Sequence, residues 1–520
     1  MVVEDASLEL PALPILGGPA LPLHLSPLSI DAESTLAFAL TNSKLTMAAE
    51  QSDGVVEVRT QTVRVARGIR IHFNDDDVSG PQPIVRVTPL GIERIRDRGA
   101  IRITERIVAA PEHTAALLEW TLEPVNETPA FAMVSVEWEV DLERLTVLTK
   151  PTATRSLRWR AASRALIVRA EPTGDVACFV FSALPDTWLI EDASTPDSPR
   201  LRCTGTATLH PRVPLRFAIV GATANDQLRA TFVALNEPAA LLRIRASSLR
   251  RLRDDRIALD TPEPGIDNAL EWTKTSLVSL QAGPRSTTNL VLALLAIGEF
   301  DGARDIIRSI GELDTGTVTE ESLDRLRALH QAWTGELVRD ERPLPPLPGL
   351  LADTFGRCLA DFTAGRSESA YSLLHADSRR ALEHPTSISP ETATTIVAGL
   401  VYGLLGAEPD APRTRLRLRP QIPPSWDHSS AANLAMADAR IGFHYHRDGA
   451  RHTFQFQQTA GRVPVRLIFE PALPATALRG ASVDGRPAQL DPRPFGERIL
   501  VPIQFVLDHE RTIVLEITNL

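Results

Sequence analysis

The sequence is poor in lysine and cysteine, and it has no long apolar run. It contains only three lysines and three cysteines in 520 residues. The cysteines, Cys178, Cys203 and Cys358, form no CxxC or Cys/His cluster, so their spacing indicates neither a zinc site nor a disulfide framework. No apolar run approaches the roughly 18–20 residues that cross a bilayer. These absences favour a cytoplasmic protein, in which Cys178, within the strand-like VACFVF, is a buried and inert thiol.

Basic residues are also fewer than acidic ones, 55 against 65. The net charge is −10 and the pI is about 5.7. A nucleic-acid-binding face needs an excess of cations, so this balance argues against a nucleic-acid partner. The N-terminal stretch MVVEDASLELPALPILGGPALPL is apolar, but it has acids and prolines where a signal peptide has basic residues and an uninterrupted apolar core. We therefore expect a mature N-terminus that lies along the first of roughly three domains.

Residues 261–406 form the one long block with helical periodicity. Thr288 to Ile297 is a nearly continuous apolar run that ends at Gly298, where a glycine can close a helix in the left-handed conformation. Asp301 is the expected N-cap of the next helix. Helices this apolar must be buried on most sides. The apolar face at the start of the block recurs at three- and four-residue spacing: Ile266, Leu270, Thr273, Leu277 and Leu280.

Two strand-rich regions flank this block. From about Ser29 to Ala222 a dozen or so short strands alternate apolar and polar residues, without helical crossovers, which predicts a large antiparallel sandwich. From about Arg413 onwards, seven short strands predict a second, smaller sandwich. Residues 236–260 read as a linker helix whose leucines face a partner and whose arginines are solvated. Trp120 and Trp138 lie within strands and favour core packing over sugar stacking.

Metal and cofactor sites are not predicted. The four residues Asn74 to Asp77 could supply oxygen ligands to calcium, but a solvated turn is favoured because the wider ligand spacing is missing. His444 and His446 share one face of a strand, yet no carboxylate or cysteine is placed to complete a metal site with them.

Several stretches carry a family resemblance. They are, in chain order, ITERIVAAPEHTAALLEWTL, TPEPGIDNALEWTKTSL, AGPRSTTNLVLALLAIGEFDGARDII, SPETATTIVAGLVYGLLGAEPDA and LRPQIPPSW. In this order they resemble bacterial proteins of the glycogen-debranching-enzyme-like, six-hairpin (α/α)6 glycosidase class. The resemblance implies a multidomain β plus α protein with four parts. These are a large, supersandwich-like N-terminal antiparallel β-sandwich (1–235), the linker helix (236–260), an α/α-hairpin domain (261–406) and a small C-terminal β-sandwich (407–520).

The resemblance also implies an activity. Members of such a family hydrolyse or transfer glycosidic bonds with a pair of carboxylates, one of which protonates the leaving oxygen while the other activates water or attacks carbon. The partner would be an oligo- or polysaccharide such as an α-glucan, bound among aromatic rings.

This chain departs from the family pattern in two ways. Residues 261–406 number 146, whereas twelve helices with their connections need about 190, so a partial ring of six to eight helices is expected. Where family members tend to carry an Arg-Asp-Thr sequence, this chain has Arg285, Ser286 and Thr287. A serine cannot serve as a general acid.

Acidic residues elsewhere in the block remain candidates for catalysis. The candidate catalytic residues are Asp314, in the loop-like ELDTGTVTEES, and Glu336 and Asp340, in HQAWTGELVRDERP. The candidate substrate-binding residues are Trp333, Arg285, Trp272 and Glu391. For each acid a solvated or helix-capping role is the alternative, since a carboxylate such as Glu391 is also favoured at a helix N-terminus. Core packing is the alternative for Trp272, and His330 alone defines no mechanism.

Three hypotheses follow from these features. The favoured one is a degenerate member of the family that binds glycans with reduced or no catalysis. The second is an active glycoside hydrolase that uses a carboxylate pair. The third is a structural homodimer, in which a partner chain covers the apolar helix faces that a shortened barrel would leave exposed.

Overall fold

The computed structural model describes most of the chain, in two compact units. The described residues are 16–32, 38–42, 44–50, 54–73, 83–125, 131–145, 154–160, 164–171, 173–192, 201–222, 225–280, 288–312, 320–336, 354–386 and 388–519. The units are Met1–Arg250 and Arg251–Leu520. The protein is a multidomain β plus α protein in which strands outnumber helices. None of the described helices is both long enough and apolar enough to cross a membrane.

The described part of the first unit is built mainly from strands, as the alternating pattern from Ser29 to Ala222 predicts. A 3-10 helix, Leu23–Leu25, precedes them. The strands are β1 (Ile30–Ala32), β2 (Phe38–Thr41), β3 (Leu45–Glu50), β4 (Gly54–Thr60), β5 (Val63–Phe73), β6 (Ile84–Thr88), β7 (Gly91–Arg98), β8 (Ile101–Ala109), β9 (Ala115–Pro124), β10 (Ala132–Arg144), β11 (Thr154–Arg160), β12 (Ala165–Glu171), β13 (Val176–Phe181), β14 (Thr187–Asp192), β15 (Leu201–Leu209) and β16 (Leu215–Ala222).

These strands form two antiparallel sheets. One sheet has the order β1-β6-β7-β8-β9-β16-β13-β12-β11, and the other has the order β14-β15-β10-β5-β4-β3-β2. The sheets pack face to face through aromatic rings, since Trp138 of β10 lies 5.1 Å from Phe179 of β13 and 5.0 Å from Phe217 of β16, between ring centroids. Trp120 and Trp138 are fully buried, which confirms the predicted core packing of both. Residues 74–77, the expected solvated turn, lie outside the described residues.

Two helices follow the sheets. The first, α1 (Asn225–Ala234), was not indicated by the sequence pattern, whereas α2 (Pro238–Asp255) is the predicted helix of the 236–260 segment. The leucine side chains of α2 that the sequence assigns to a buried face include Leu242, Leu249 and Leu252, and all three are buried.

Helices dominate residues 261–406 of the second unit. Seven α-helices lie in the described part of this block. They are α3 (Pro264–Leu280), α4 (Thr288–Ile297), α5 (Phe300–Glu312), α6 (Glu320–Thr334), α7 (Thr354–Thr363), α8 (Ser367–Glu383) and α9 (Pro390–Ala398).

The ends of these helices follow local chemistry. Every residue of α4 from Asn289 to Ile297 is buried, and the helix ends at Gly298 with φ of 83°, the predicted left-handed closure. The next helix begins at Phe300, so the expected N-cap role of Asp301 is wrong. Asp301 lies instead in the first turn of α5, where its negative charge still complements the helix N-terminus.

The last helix of the block changes its winding. Ser389 caps α9 by accepting a hydrogen bond from the Thr392 backbone N–H, and Pro390 occupies the first turn. The chain then continues as a π-helix, Gly399–Leu404, whose residues are all buried. A Cβ on Gly403 would lie 2.4 Å from the Phe362 ring of α7. The close approach of α7 to this turn therefore requires glycine.

The remaining strands pair in three sheets. The strands are β17 (Ala258–Asp260), β18 (Glu408–Asp410), β19 (Arg415–Leu418), β20 (His428–Met436), β21 (Ala439–Asp448), β22 (Arg451–Ala460), β23 (Arg466–Phe469), β24 (Ala472–Leu473), β25 (Ala475–Val483), β26 (Arg486–Pro487), β27 (Arg493–Phe495), β28 (Arg498–Leu500), β29 (Ile503–Val506) and β30 (Arg511–Asn519). The sheet orders are β17-β20-β21-β22-β30-β25-β26, β18-β19-β23-β29 and β24-β28-β27. The sequence predicts only seven strands from about Arg413 onwards. Several strands that it misses have two to four residues, too short for alternation to be visible. It also misses β20, whose nine residues HSSAANLAM include no Val, Ile, Thr, Tyr, Phe or Trp.

Candidate functional site

Trp333, predicted to contact substrate, lies on α6 and is fully buried. Its indole N–H donates a hydrogen bond to the Tyr402 hydroxyl at 2.8 Å, and its ring lies 6.3 Å from that of Phe300. The ring has no face open to solvent in this arrangement. Its hydrogen bond to Tyr402 connects α6 to the π-helix.

Glu336, a predicted catalytic acid, follows the end of α6 and is exposed. Its carboxylate lies 3.3 Å from the Arg304 guanidinium of α5. His330, one turn before Trp333, is buried, and its Nε2 lies 3.2 Å from the Phe300 carbonyl oxygen. Burial lowers the pKa of His330, so its imidazole is neutral near pH 7.

The other predicted site residues are dispersed. Trp272, on α3, is 2% exposed, and Glu391 is exposed in the first turn of α9. No hydrogen bond or ion pair joins any two of the described residues Trp272, Trp333, Glu336 and Glu391. Arg285, Asp314 and Asp340 lie outside the described residues. Their roles, like those of the four described residues, stay predictions.

A different group of side chains converges at the start of α3. We call it the acid–aromatic cluster, and it consists of Glu263, Asp267, Tyr371, His375 and Trp426. Glu263 immediately precedes α3 and Asp267 lies in its first turn, while Tyr371 and His375 are one turn apart on α8. Trp426 comes from the segment between β19 and β20. All five belong to the second unit.

The Glu263 carboxylate is the centre of the cluster. One oxygen accepts a hydrogen bond from the Trp426 indole N–H at 3.1 Å, and the other lies 3.7 Å from Nε2 of His375. The side chain of Glu263 remains 32% exposed and that of His375 55% exposed. A carboxylate that accepts one ring N–H and is still partly open to solvent is able to accept hydrogen bonds from a ligand.

The Tyr371 ring packs beside both Trp426 and His375. It meets Trp426 edge to face, with centroids 5.6 Å apart and an interplanar angle of 86°, and it lies 6.4 Å from the His375 ring. The Tyr371 hydroxyl is buried and finds no hydrogen-bond partner of normal geometry among the described residues. Burial, and then the neighbouring Glu263 carboxylate, raise the pKa of Tyr371, so this hydroxyl keeps its proton.

Asp267 is held differently from Glu263. Its carboxylate accepts hydrogen bonds from the backbone N–H and the hydroxyl of Thr261, both at 3.0 Å. Burial raises the pKa of Asp267 to about 6, although the Thr261 hydrogen bonds act in the opposite direction. The cluster therefore holds two carboxyl groups, one open to solvent and one committed to the turn that precedes α3.

Sequence patterns alone did not indicate this cluster. Its members come from positions separated by more than 150 residues, and no local motif connects them. Two signals were available: Tyr371 and His375 are four residues apart and so share a helix face, and Trp426 ends the quoted LRPQIPPSW stretch. Neither signal indicates Glu263 as the common partner.

A small cavity adjoins the segment that carries Trp426. Pro423, Pro424, Tyr445, Arg447 and His452 contribute to its lining. The Tyr445 hydroxyl lies 3.0 Å from Nδ1 of His452. Within the described residues, no group of three or more His, Cys, Asp or Glu side chains is placed to hold a metal ion.

Comparisons with known proteins identify the fold only. No protein-family model and no curated protein match the sequence. A human-microbiome protein named as a candidate kojibiose phosphorylase aligns with a TM-score of 0.53 at 8% sequence identity, over 92% of this chain and 98% of that chain. A bacterial glucoamylase complexed with acarbose aligns at 0.36 and 9% identity, over 69% and 66%. A family GH92 inverting mannosidase from Bacteroides thetaiotaomicron aligns at 0.31 and 9%, over 74% and 65%. The first of these likenesses shows a shared fold.

Proposed function

We propose that this protein binds oligosaccharides at the acid–aromatic cluster, with little or no hydrolysis. The observation that carries the proposal is the partly exposed Glu263 carboxylate, held by Trp426 and flanked by Tyr371 and His375. Sugar hydroxyls donate hydrogen bonds to carboxylates, and the C–H faces of sugar rings pack on aromatic rings. The shared fold with the protein named as a kojibiose phosphorylase makes an α-linked glucose oligosaccharide the first ligand class to test.

The roles of the two carboxyl groups favour binding over turnover. Glycoside hydrolysis needs an acid and a second carboxylate that are both free to act, about 5–10 Å apart. In the cluster, both carboxyl groups are half-buried, but Asp267 is tied to two donors of Thr261, whereas the Glu263 carboxylate accepts one hydrogen bond, from Trp426. One available carboxylate is enough to bind a sugar. Hydrolysis needs a second available carboxyl group, and the cluster does not supply one.

This proposal includes the finer domain arrangement. Residues 261–406 would be a shortened six-hairpin barrel between an N-terminal sandwich (1–235) and a C-terminal sandwich (407–520), with the 236–260 helix as linker. Seven helices in the described part, against the twelve of a full ring, support the shortened form. The predicted homodimer and the cytoplasmic location stay predictions; a monomer at micromolar concentration by light scattering would contradict the dimer.

The experiment is a panel of α-linked gluco-oligosaccharides, tested by calorimetry for binding and by product analysis for hydrolysis and for phosphorolysis with inorganic phosphate. We expect binding without turnover. Glu263→Gln should weaken binding roughly tenfold, because a neutral amide replaces the charged acceptor. Glu336→Gln is the matched control, since among the described residues that acid forms an ion pair with the surface arginine Arg304 alone, and it should bind like the wild type.

Other outcomes decide against the proposal. If no oligosaccharide binds, carbohydrate recognition at this cluster is wrong. If turnover is found and Glu336→Gln abolishes it while Glu263→Gln does not, the functional site is the one that the sequence indicates at the end of α6.

A further inference from the structure

Thr261 joins the two carboxyl groups of the acid–aromatic cluster. Its hydroxyl and backbone N–H both donate to Asp267, at 3.0 Å each. The same hydroxyl oxygen accepts the Glu263 backbone N–H at 3.2 Å and lies 3.3 Å from the Glu263 carbonyl oxygen. Thr261 is itself buried. The Thr261 side chain therefore fixes the backbone of Glu263, and Asp267 in turn fixes the Thr261 side chain.

We propose that Asp267 is a positioning residue for the Glu263 carboxylate, which it controls through the hydroxyl and backbone of Thr261. This inference rests on the proposed function for its consequence, ligand binding, but the coupling itself is a property of the chain. Asp267 touches no ligand in this scheme. It fixes the turn at residues 261–263, and that turn aims Glu263 towards Trp426 and His375.

The proton count at Thr261 makes this coupling dependent on protonation. The Thr261 hydroxyl has a single hydrogen, yet two acceptors lie within reach of it, the Asp267 carboxylate and the Glu263 carbonyl oxygen. When Asp267 is ionised, its carboxylate accepts both the hydroxyl and the backbone N–H of Thr261, and its charge strengthens both bonds. When Asp267 is protonated, these bonds weaken and the Thr261 hydrogen is free to turn to the Glu263 carbonyl oxygen, so protonation loosens the hold of Asp267 on the turn.

The surroundings of Asp267 raise its pKa into the range in which proteins are usually studied. Burial raises its pKa to about 6, and the negative charges of Asp260 on β17 and Glu271 on α3 act in the same direction. Glu271 is partly neutralised by the buried Lys274 ammonium at 2.6 Å. From α8, Tyr371 and the exposed His375 face the same cluster. The Thr261 hydrogen bonds act in the opposite direction, because they favour the carboxylate. We therefore expect Asp267 to hold the turn most firmly above about pH 6.

The first test follows Trp426, whose indole N–H bonds to Glu263, by fluorine NMR of protein labelled with 5-fluorotryptophan. Its resonance is assigned by its loss in Trp426→Phe. Because imidazoles generally titrate near neutral pH, the titration is done in a His375→Gln background. We expect the Trp426 resonance to shift with a midpoint near pH 6. Asp267→Asn should abolish the shift, and Asp301→Asn, an exposed acid in the first turn of α5, should leave it unchanged.

A second variant guards against misfolding of Asp267→Asn. Thr261→Val keeps the backbone N–H donor but removes the hydroxyl that links Asp267 to Glu263. It should also remove the Trp426 titration, while thermal unfolding reports whether each variant is folded. A Trp426 resonance that does not titrate in the wild-type cluster, or that titrates equally in folded Thr261→Val, would overturn the inference.

Ligand binding separates this inference from the proposed function. In wild-type protein, the gluco-oligosaccharide that binds best should bind more tightly at pH 7.5 than at pH 5, and Asp267→Asn should bind roughly tenfold more weakly at pH 7.5 and lose this pH dependence. If no oligosaccharide binds at any pH, the proposed function fails and the fluorine titration alone decides the role of Asp267. If binding occurs but the titration is unaffected by both variants, only the inference fails.

Discussion

His452 is a buried histidine whose environment opposes protonation. It lies on β22 and is 2% exposed, with the Tyr445 hydroxyl 3.0 Å from its Nδ1. Burial, and then the positive charge of Arg447, lower its pKa from 6.5 to about 4. In the unfolded chain the imidazole titrates at its ordinary pKa, so between these two values only the unfolded state takes up the proton.

This difference predicts an acid-dependent loss of stability. Because the folded pKa is depressed, the contribution of His452 is fully present above about pH 6.5 and is lost as the pH falls towards 4. His452→Gln keeps an acceptor for Tyr445 but cannot titrate. The free energy of unfolding of the wild type minus that of this variant should therefore be about 3 kcal/mol smaller at pH 4 than at pH 7. Urea unfolding at several pH values measures this gap. His444→Gln, an exposed neighbour on β21, is the control, and a gap that does not vary with pH would contradict the prediction.

Single residues were predictable from sequence where burial depends on a local pattern. Cys178 lies in an apolar run, and Trp120 and Trp138 alternate within strands, so their burial follows from neighbouring residues. Glu263 gave no such signal, because its partners Tyr371 and Trp426 are brought to it by the packing of α8 and the segment after β19. A contact between distant residues leaves no periodicity in the sequence.

At the scale of elements, the π-helix Gly399–Leu404 depends on one glycine. A Cβ on Gly403 would lie 2.4 Å and 2.7 Å from ring atoms of Phe362, whereas a Cβ on Gly399 meets only Leu374 at 3.4 Å and Cys358 at 3.7 Å. Both glycines are buried in the same turn, and neither has a positive φ. The pair therefore separates the effect of steric contact from the effect of removing a glycine.

Gly403→Ala should destabilise the protein and Gly399→Ala should not. The added methyl group of Gly403→Ala forces the Phe362 ring or α7 to move, at a cost of about 1–3 kcal/mol. Gly399→Ala has room and gains helix propensity. Guanidinium unfolding measures both, and Phe362→Leu combined with Gly403→Ala should recover part of the loss. Equal stability of the two single variants would contradict the steric explanation.

Elements were predictable where one physical signal dominates. The apolar run of α4 and its closing glycine marked both the helix and its end. The π-helix was not predictable, because its sequence GLVYGL reads as a continuation of α9. The short strands β24 and β26, of two residues each, exist only because a partner strand is present.

At the scale of the whole chain, one ion pair joins three distant segments of the first unit. Arg216 on β16 and Glu119 on β9 are direct cross-strand neighbours, both buried, with Nε of Arg216 2.8 Å from the carboxylate. Arg216 also donates to the carbonyl oxygens of Leu16 at 2.8 Å and Gly17 at 2.6 Å. Glu119 accepts the Leu21 backbone N–H at 2.8 Å. The pair thus fastens residues 16–21 to the sheet.

This arrangement could not be read from the sequence, although the sheet could. Alternation predicted strands between Ser29 and Ala222, but it does not specify that β9 pairs with β16, almost 100 residues later. The position of Arg216 opposite Glu119 follows only from that register. The apolar, proline-rich N-terminal stretch was expected to lie along the first domain, and its described part, from Leu16, does so through polar contacts of its backbone.

Arg216→Met should release the N-terminal segment while the sheets persist. Methionine fills similar volume but leaves the carbonyl oxygens of residues 16–19 without a donor, whereas Glu119 keeps Arg106 at 3.0 Å. Hydrogen exchange measures the effect: peptides covering residues 16–26 should exchange at least roughly tenfold faster, and peptides of β9 and β16 should stay protected. Arg250→Met is the matched control, because Arg250 donates to the Leu25 carbonyl from an exposed position. Unchanged exchange of residues 16–26 in Arg216→Met would mean that apolar packing of Leu16, Leu21 and Leu23, and not the ion pair, holds this segment on the sheet.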